Sequence, residues 1–201
     1  MWHLIYFKHS MANRLTKIYT RTGDDGSTGM ADGSRVAKDD GLIQAIGDVD
    51  ELNSQLAVLA YHVSGVAVDD VVDDINNSIF VIQNELFNVG AELSMGQAMI
   101  EQNHIDTLEN MLDALNKDLT PLKEFILPGG GLAASHCHVA RAVCRRVERS
   151  LVSLSNQKEL NAYLMAYVNR LSDYLFVLAR AISKREGADE VYWQSARIKD
   201  K

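Results

Sequence analysis

The chain has 201 residues, of which 47% are hydrophobic and 23% charged, an ordinary globular composition that excludes disordered, collagenous and low-complexity polymers. At 22.3 kDa it suits one domain able to bury about 70% of its unfolded surface. With 20 basic against 27 acidic side chains, the net charge is −7, so there is no overall attraction to nucleic acid or anionic membrane, and any bound anion needs a local basic cluster.

The opening MWHLIYFKHSMAN holds an apolar run only from Leu4 to Phe7 before Lys8 and His9 intervene. It reads as neither a secretory signal nor a membrane span, and a cytoplasmic protein is expected. Met11 is an alternative start. Residues 1–15 are expected as a flexible extension, 16–190 as one helical domain and 191–201 as a tail.

Residues 17–47 have six glycines and no sustained periodicity until about Asp40. Gly23, Gly26 and Gly29 interleave with Thr20, Thr22, Ser27 and Thr28, and Arg21 and Lys38 flank them. Such a loop can wrap a polyphosphate with backbone N–H groups, hydroxyls and cations. It is neither a Walker A sequence nor a Rossmann fingerprint, and as a bare pattern it also fits a solvated glycine-rich loop.

Five stripes of apolar residues at steps of three and four follow, each predicting an amphipathic helix. Val49, Leu52, Leu56, Leu59 and Val63 form the first, with Asp48 and Glu51 as expected N-terminal capping residues. Val72, Ile75, Ile79, Ile82, Leu86, Val89 and Leu93 form the second. The third, Ile105, Leu108, Leu112, Leu115 and Leu119, stops before Thr120 and Pro121. The fourth is Cys137, Ala140, Cys144, Val147, Leu151 and Leu154. The fifth runs through Leu160, Leu164, Tyr167, Leu171, Tyr174, Leu178 and Ala181, with Gly187 as C-terminal cap. Helices of about 20 to 28 residues, roughly 30 to 42 Å long, predict an all-α, five-helix up-and-down bundle.

The fourth stripe carries Arg141, Arg145, Arg146 and Arg149 within nine residues, with Glu148 among them. At about 100° per residue, Glu148, Arg141 and Arg145 share one flank of the stripe and Arg146 falls on the other. A charged flank bordering the core suits contact with a ligand or a second subunit, and surface salt bridging is the bland alternative. His136, Cys137 and His138, and the pair Glu101 and His104, resemble metal ligands superficially. His136 and His138 point about 160° apart on a helix, so metal ligation by these side chains is not expected. Cys137 and Cys144 fit neither a disulfide scaffold nor zinc spacing, and read as small core residues in a reducing compartment.

Taken together, KIYTRTGDDGST, SRVAKDD, GDVDELNS, FILPGGG, HVARAVCRRVER and YVNRLSDYLF resemble the propanediol-utilisation class of ATP:cob(I)alamin adenosyltransferases from about Lys17 to Arg185. Arg21 and Asp25 stand where that family often has lysine. The resemblance implies a five-helix bundle assembled as a homotrimer, with ATP and corrinoid bound where subunits meet. It implies that the adenosyl group of ATP moves to the cobalt of cob(I)alamin, forming adenosylcobalamin and releasing triphosphate, with Mg2+ held mainly through ATP. Thr20, Arg21, Thr22, Gly23, Ser27, Thr28 and Lys38 would line the nucleotide loop of one subunit. Arg145, Arg146, Glu148, Arg149 and Asn169 would come from its neighbour. Asp50 and Arg141 would form an ion pair between subunits beside the corrin, and Phe125 would close the lower face of the cobalt. A flavin-type reductase and a cobalamin-dependent enzyme are candidate partners. The alternative is a non-enzymatic helical scaffold or sensor whose arginine row binds an acidic partner.

Overall fold

The structure, a computed structural model, describes residues 18–66 and 69–194. The expected extension at 1–15 and the tail from 195 onward lie outside the described residues. Five helices follow a short hairpin: β1 (Ser27–Gly29), β2 (Arg35–Ala37), α1 (Gly41–Val63), α2 (Asp70–Met95), α3 (Gln102–Asn116), α4 (Leu132–Ser155) and α5 (Ala162–Arg185).

Each helix begins where a side chain can satisfy its first free N–H groups. Asp40 accepts from Leu42 N at 2.8 Å, Asp69 from Val72 N at 3.0 Å, and Asn161 from Tyr163 N at 3.0 Å. Glu101 and His104 form a capping box at the start of α3, which gives the Glu-x-x-His pair a structural role. Gly131 precedes α4 without a side chain to offer, and Glu186 from the far end of α5 accepts from Ala133 N at 3.1 Å and Ala134 N at 3.0 Å instead. At the end of α5, Gly187 takes the left-handed conformation at φ +69°, and Ala188 N donates back to Ser183 O at 3.0 Å, closing a Schellman turn.

Two sequence expectations need correction. Helix α1 starts at Gly41, a turn and more before Asp48, because Asp40 caps it. Asp48 is therefore a buried mid-helix residue, not a capping residue. Helix α3 ends at Asn116, so Leu119 lies beyond it in the connection to α4, and at 15 residues the helix is shorter than the 20 to 28 expected. The glycine-rich segment also holds a hairpin that the periodicity did not predict, with Ser27 opposite Ala37, Thr28 opposite Val36 and Gly29 opposite Arg35.

The first, second and fourth stripes are buried in full, and the fifth from Leu164 to Leu178. Truncating a fully buried member such as Leu56 or Leu171 to alanine would cost about 2–5 kcal/mol. Cross-helix bonds give the directions. Asn53 Nδ2 donates to Gln83 O at 3.1 Å and Asn76 Nδ2 to Ser64 Oγ at 3.0 Å, so α1 and α2 are antiparallel. Cys137 Sγ meets Leu175 O at 3.2 Å and Cys144 Sγ meets Val168 O at 3.3 Å, so α4 and α5 are antiparallel too. Burial pushes both thiols well above their ordinary range, so they are inert core groups. Helix α4 packs between α1 and α5, while α3 lies on α5. The start of α1 and the end of α4 thus share one end of the bundle, and the starts of α4 and the end of α5 share the other.

Candidate active site

The segment before α1 is shaped by its own polar groups. Lys38 Nζ donates to Gly23 O at 2.8 Å, drawing the loop onto the end of β2. A Cβ on residue 23 would sit 3.0 Å from Ser27 O and 3.3 Å from Lys38 Nζ, so glycine is what allows this close approach. Thr20 Oγ1 and Thr22 Oγ1 are 2.9 Å apart. The Arg21 guanidinium lies over the Tyr19 ring, 5.6 Å from its centroid. Ser27 donates to Asp25 Oδ1 through both N and Oγ, at 2.9 and 2.7 Å. Those two hydrogen bonds, side-chain first, hold the Asp25 carboxyl below its ordinary range.

Arg35 received no role from sequence, yet it organises this loop. Its Nε donates to Ser27 Oγ at 3.0 Å, its guanidinium donates to the Thr22 carbonyl, and Asp25 lies 3.6 Å away. No local pattern in the sequence marks it, because its role follows from the hairpin register that sets Arg35 against Gly29. Thr20, Thr22, Gly23, Ser27 and Lys38 are therefore tied with Arg35 into one small polar cradle, and Thr28 stands opposite Val36 in its hairpin.

The second group lies on α4 and α5. Glu148 accepts from Asn169 Nδ2 at 2.8 Å, joining the two helices. Arg149 donates to the Arg145 carbonyl at 2.9 Å. Arg141 places its guanidinium 5.7 Å from the Phe176 centroid, and its buried Nε has no hydrogen-bond partner among the described residues. Arg146 turns the other way, as its helical angle predicts. Its Nε is 3.3 Å from Asp48 Oδ1 on α1, and its guanidinium also donates to Glu51. Asp48 in turn accepts from Gln44 at 3.1 Å and Ser150 at 2.5 Å.

Asp50 and Arg141 do not meet within the chain: Asp50 is exposed on α1, and no salt bridge joins them among the described residues. Phe125, 74% exposed, sits in the connection between α3 and α4, at the end of the bundle opposite the glycine-rich loop. Over the 24 residues of α4, those ends are about 36 Å apart. The arginine row lies between them. Of the metal-like residues, His136 stacks on His62 with centroids 4.5 Å apart, while His138 faces Phe176 at 6.5 Å. Among the described residues, no three His, Cys, Asp or Glu side chains gather as a metal site would require, and no helix is long and apolar enough to cross a membrane.

The cobalamin adenosyltransferase family model matches residues 18–182. A cobalamin adenosyltransferase of Cupriavidus metallidurans is 46% identical over 188 residues, covering 93% of this chain and 99% of its own. A corrinoid adenosyltransferase of Bacillus subtilis is 36% identical over 186 residues, covering 90% and 94%. Among solved structures, a single-residue variant of a PduO-type ATP:corrinoid adenosyltransferase from Lactobacillus reuteri, complexed with cobalamin and ATP, superposes with a TM-score of 0.80 at 32% identity over 89% of this chain and 100% of that one. On this family match and these relatives, which span nearly its whole length, the chain belongs to the cobalamin adenosyltransferase family.

Proposed function

We propose that the chain transfers the 5′-deoxyadenosyl group of ATP to the cobalt of a reduced corrinoid and releases inorganic triphosphate. The observation that carries this reading is the family match over 18–182, which contains every candidate residue from Thr20 to Asn169. The cobalt electron pair forms a bond to C5′, the C5′–O bond breaks, and the triphosphate oxygen leaves with the electrons of the broken C–O bond. Negative charge grows along the leaving chain, so cations fixed before reaction lower the barrier most effectively. Lys38, already oriented by its bond to Gly23 O, and Arg145 supply them. Arg21 and Arg149 add charge at the rim. Mg2+ would enter mainly on the phosphates of ATP. No side-chain base is required.

Asn169, held by Glu148, and the backbone of Gly23 to Thr28 hold the ribose and phosphates so that C5′ faces cobalt in line. Arg146 is committed to Asp48 and Glu51, and its part is to seat α4 on α1 so that its neighbours on the helix project correctly. Phe125 closes the lower face of the corrin, excluding an axial ligand by bulk and dryness.

The site forms between copies of the chain in a homotrimer. Within one copy the cradle and Phe125 occupy opposite ends of the bundle, which supports a site completed by a neighbour's cradle at the arginine row. Asp50 then reaches Arg141 across the contact, giving its unpartnered Nε a carboxylate. In the test, cobalamin is reduced anaerobically, protein and magnesium ATP are added, and the visible spectrum and triphosphate are followed together. Spectral conversion with stoichiometric triphosphate is expected. Conversion without triphosphate, or a monomer under native conditions, would overturn the reading.

A further inference from the structure

Phe125 is three-quarters exposed, so packing against its own core does not fix its position. The segment that follows it is not close-packed either. Ile126, Leu127 and Pro128 roof a cavity of about 180 Å³ whose floor includes His138, Ala179 and Arg180. Something other than apolar packing must hold this connection in place.

The holding groups are polar. Leu127 N donates to Val191 O at 2.8 Å and Trp193 N to Phe125 O at 2.7 Å, with Ile126 opposite Tyr192 between them. The Trp193 ring meets the Phe125 ring edge-on, with centroids 6.4 Å apart. The start of the expected tail at residue 191 is thus paired with the Phe125 segment. Beneath both lies Arg180 of α5, whose side chain is only 4% exposed. Its Nε donates to Glu190 Oε1 at 2.6 Å, and one terminal nitrogen donates to Thr120 O at 2.7 Å and reaches Glu190 Oε2 at 3.4 Å. One turn further along α5, Lys184 Nζ donates to Asp118 O at 2.7 Å.

A guanidinium taken out of water is costly and persists only when its donors are met. Two of the three Arg180 nitrogens are met by one group from each side of the paired segment: the Thr120 carbonyl ahead of Phe125, and the Glu190 carboxylate ahead of Val191. Its fork spans both at once, which an ammonium cannot do with the same geometry.

We propose that Arg180, acting with Glu190, is a positioning residue for the transfer reaction, clamping the Phe125 segment and residues 190–193 together so that the Phe125 ring is held where the corrin docks. This inference rests on the reading of Phe125 given above.

The experiment uses the full chain carrying Trp2→Phe, which leaves Trp193 as the single tryptophan of the two in the sequence. Acrylamide quenching of Trp193 and hydrogen exchange at the Leu127 and Trp193 amides are measured without corrinoid, then turnover and ATP affinity. Glu190→Gln is expected to raise quenching and to speed exchange at both amides, with turnover falling about ten- to a hundredfold through misplacement and ATP affinity unchanged. Arg180→Lys keeps the charge and should retain part of the turnover. Should it fail to fold, Glu190→Gln carries the test alone, since that side chain is 20% exposed. Unchanged quenching and exchange would overturn the clamp, and so would a loosened segment with full turnover. Phe125→Ala is run alongside: if it leaves turnover intact, the reading of Phe125 fails, whereas the clamp is still read directly from Leu127 and Trp193.

Discussion

Arg145 and Arg146 are consecutive residues of one helix, yet their side chains end in different surroundings. Arg146 lies over α1, where Asp48 is almost fully buried and Glu51 is at the rim, and both carboxylates bind it. The pair of acids raises its affinity for the proton, the Glu51 hydrogen bond contributing most. Arg145 is exposed on the flank shared with Glu148 and Asn169, and no salt bridge to it occurs among the described residues. A single step of about 100° around the helix separates a cation spent on its own fold from one available to a ligand. Counting arginines in the row would miss this, since the acids that neutralise one of them lie about a hundred residues away in sequence.

Substitutions on the two flanks should therefore fail in different ways. The largest effect is expected for Arg145→Ala: loss of a fixed cation beside the leaving triphosphate should lower kcat/KM by about a hundred- to a thousandfold, with weaker ATP binding by titration calorimetry. Unchanged nucleotide binding would remove Arg145 from the site. Phe125→Ala should lower kcat by about a hundredfold while ATP affinity holds, a split that separates the corrin end from the phosphate end. Equal losses in both would count against it. For Asp50 and Arg141, each single reversal should impair corrinoid use, and the double swap Asp50→Arg with Arg141→Asp should recover part of it. A swap no better than either single variant breaks the pairing.

Arg146→Ala sharpens the contrast from the other side. It leaves the carboxylate of Asp48, only 6% exposed, with Gln44 and Ser150 alone. Because the Arg146 side chain itself is 40% exposed, screening trims the loss to about 1–2 kcal/mol, a Tm decrease of roughly 3–6 °C. ATP affinity should fall less than in Arg145→Ala. Equal loss of affinity with no change in Tm would place Arg146 in the phosphate cradle instead.

Much of the bundle was legible in sequence because stripe periodicity is a local signal: Val49 to Val63 and Cys137 to Leu154 are buried as their spacing predicts. The flank assignments for Glu148 and Arg146 followed from the same arithmetic. What periodicity could not supply are partners brought from far along the chain. Glu186 caps α4 from 52 or 53 positions away, Arg180 reaches Thr120 across 60, and Asp48 turns out to anchor Arg146 instead of capping a helix. The β-hairpin was hidden because strands of three residues are too short for a period-two pattern to register.

The smallest expected effect concerns His138, which lies three residues before Arg141 on the same helix. It is 7% exposed, and its Nδ1 has no hydrogen-bond partner among the described residues. Burial first, and the nearby Arg141 charge second, hold its pKa below the ordinary 6.5. A base depressed in the folded state takes up its proton more readily in the unfolded chain. Its contribution to stability is therefore complete above about pH 6.5 and is lost as pH falls through the interval between that value and the folded pKa. The urea midpoint of the protein should thus decline between neutral and mildly acidic pH, and His138→Gln, which cannot titrate, should flatten that decline while costing some stability at pH 7 through imperfect packing. An identical pH slope in both proteins would show that the imidazole beside Arg141 does not govern acid sensitivity.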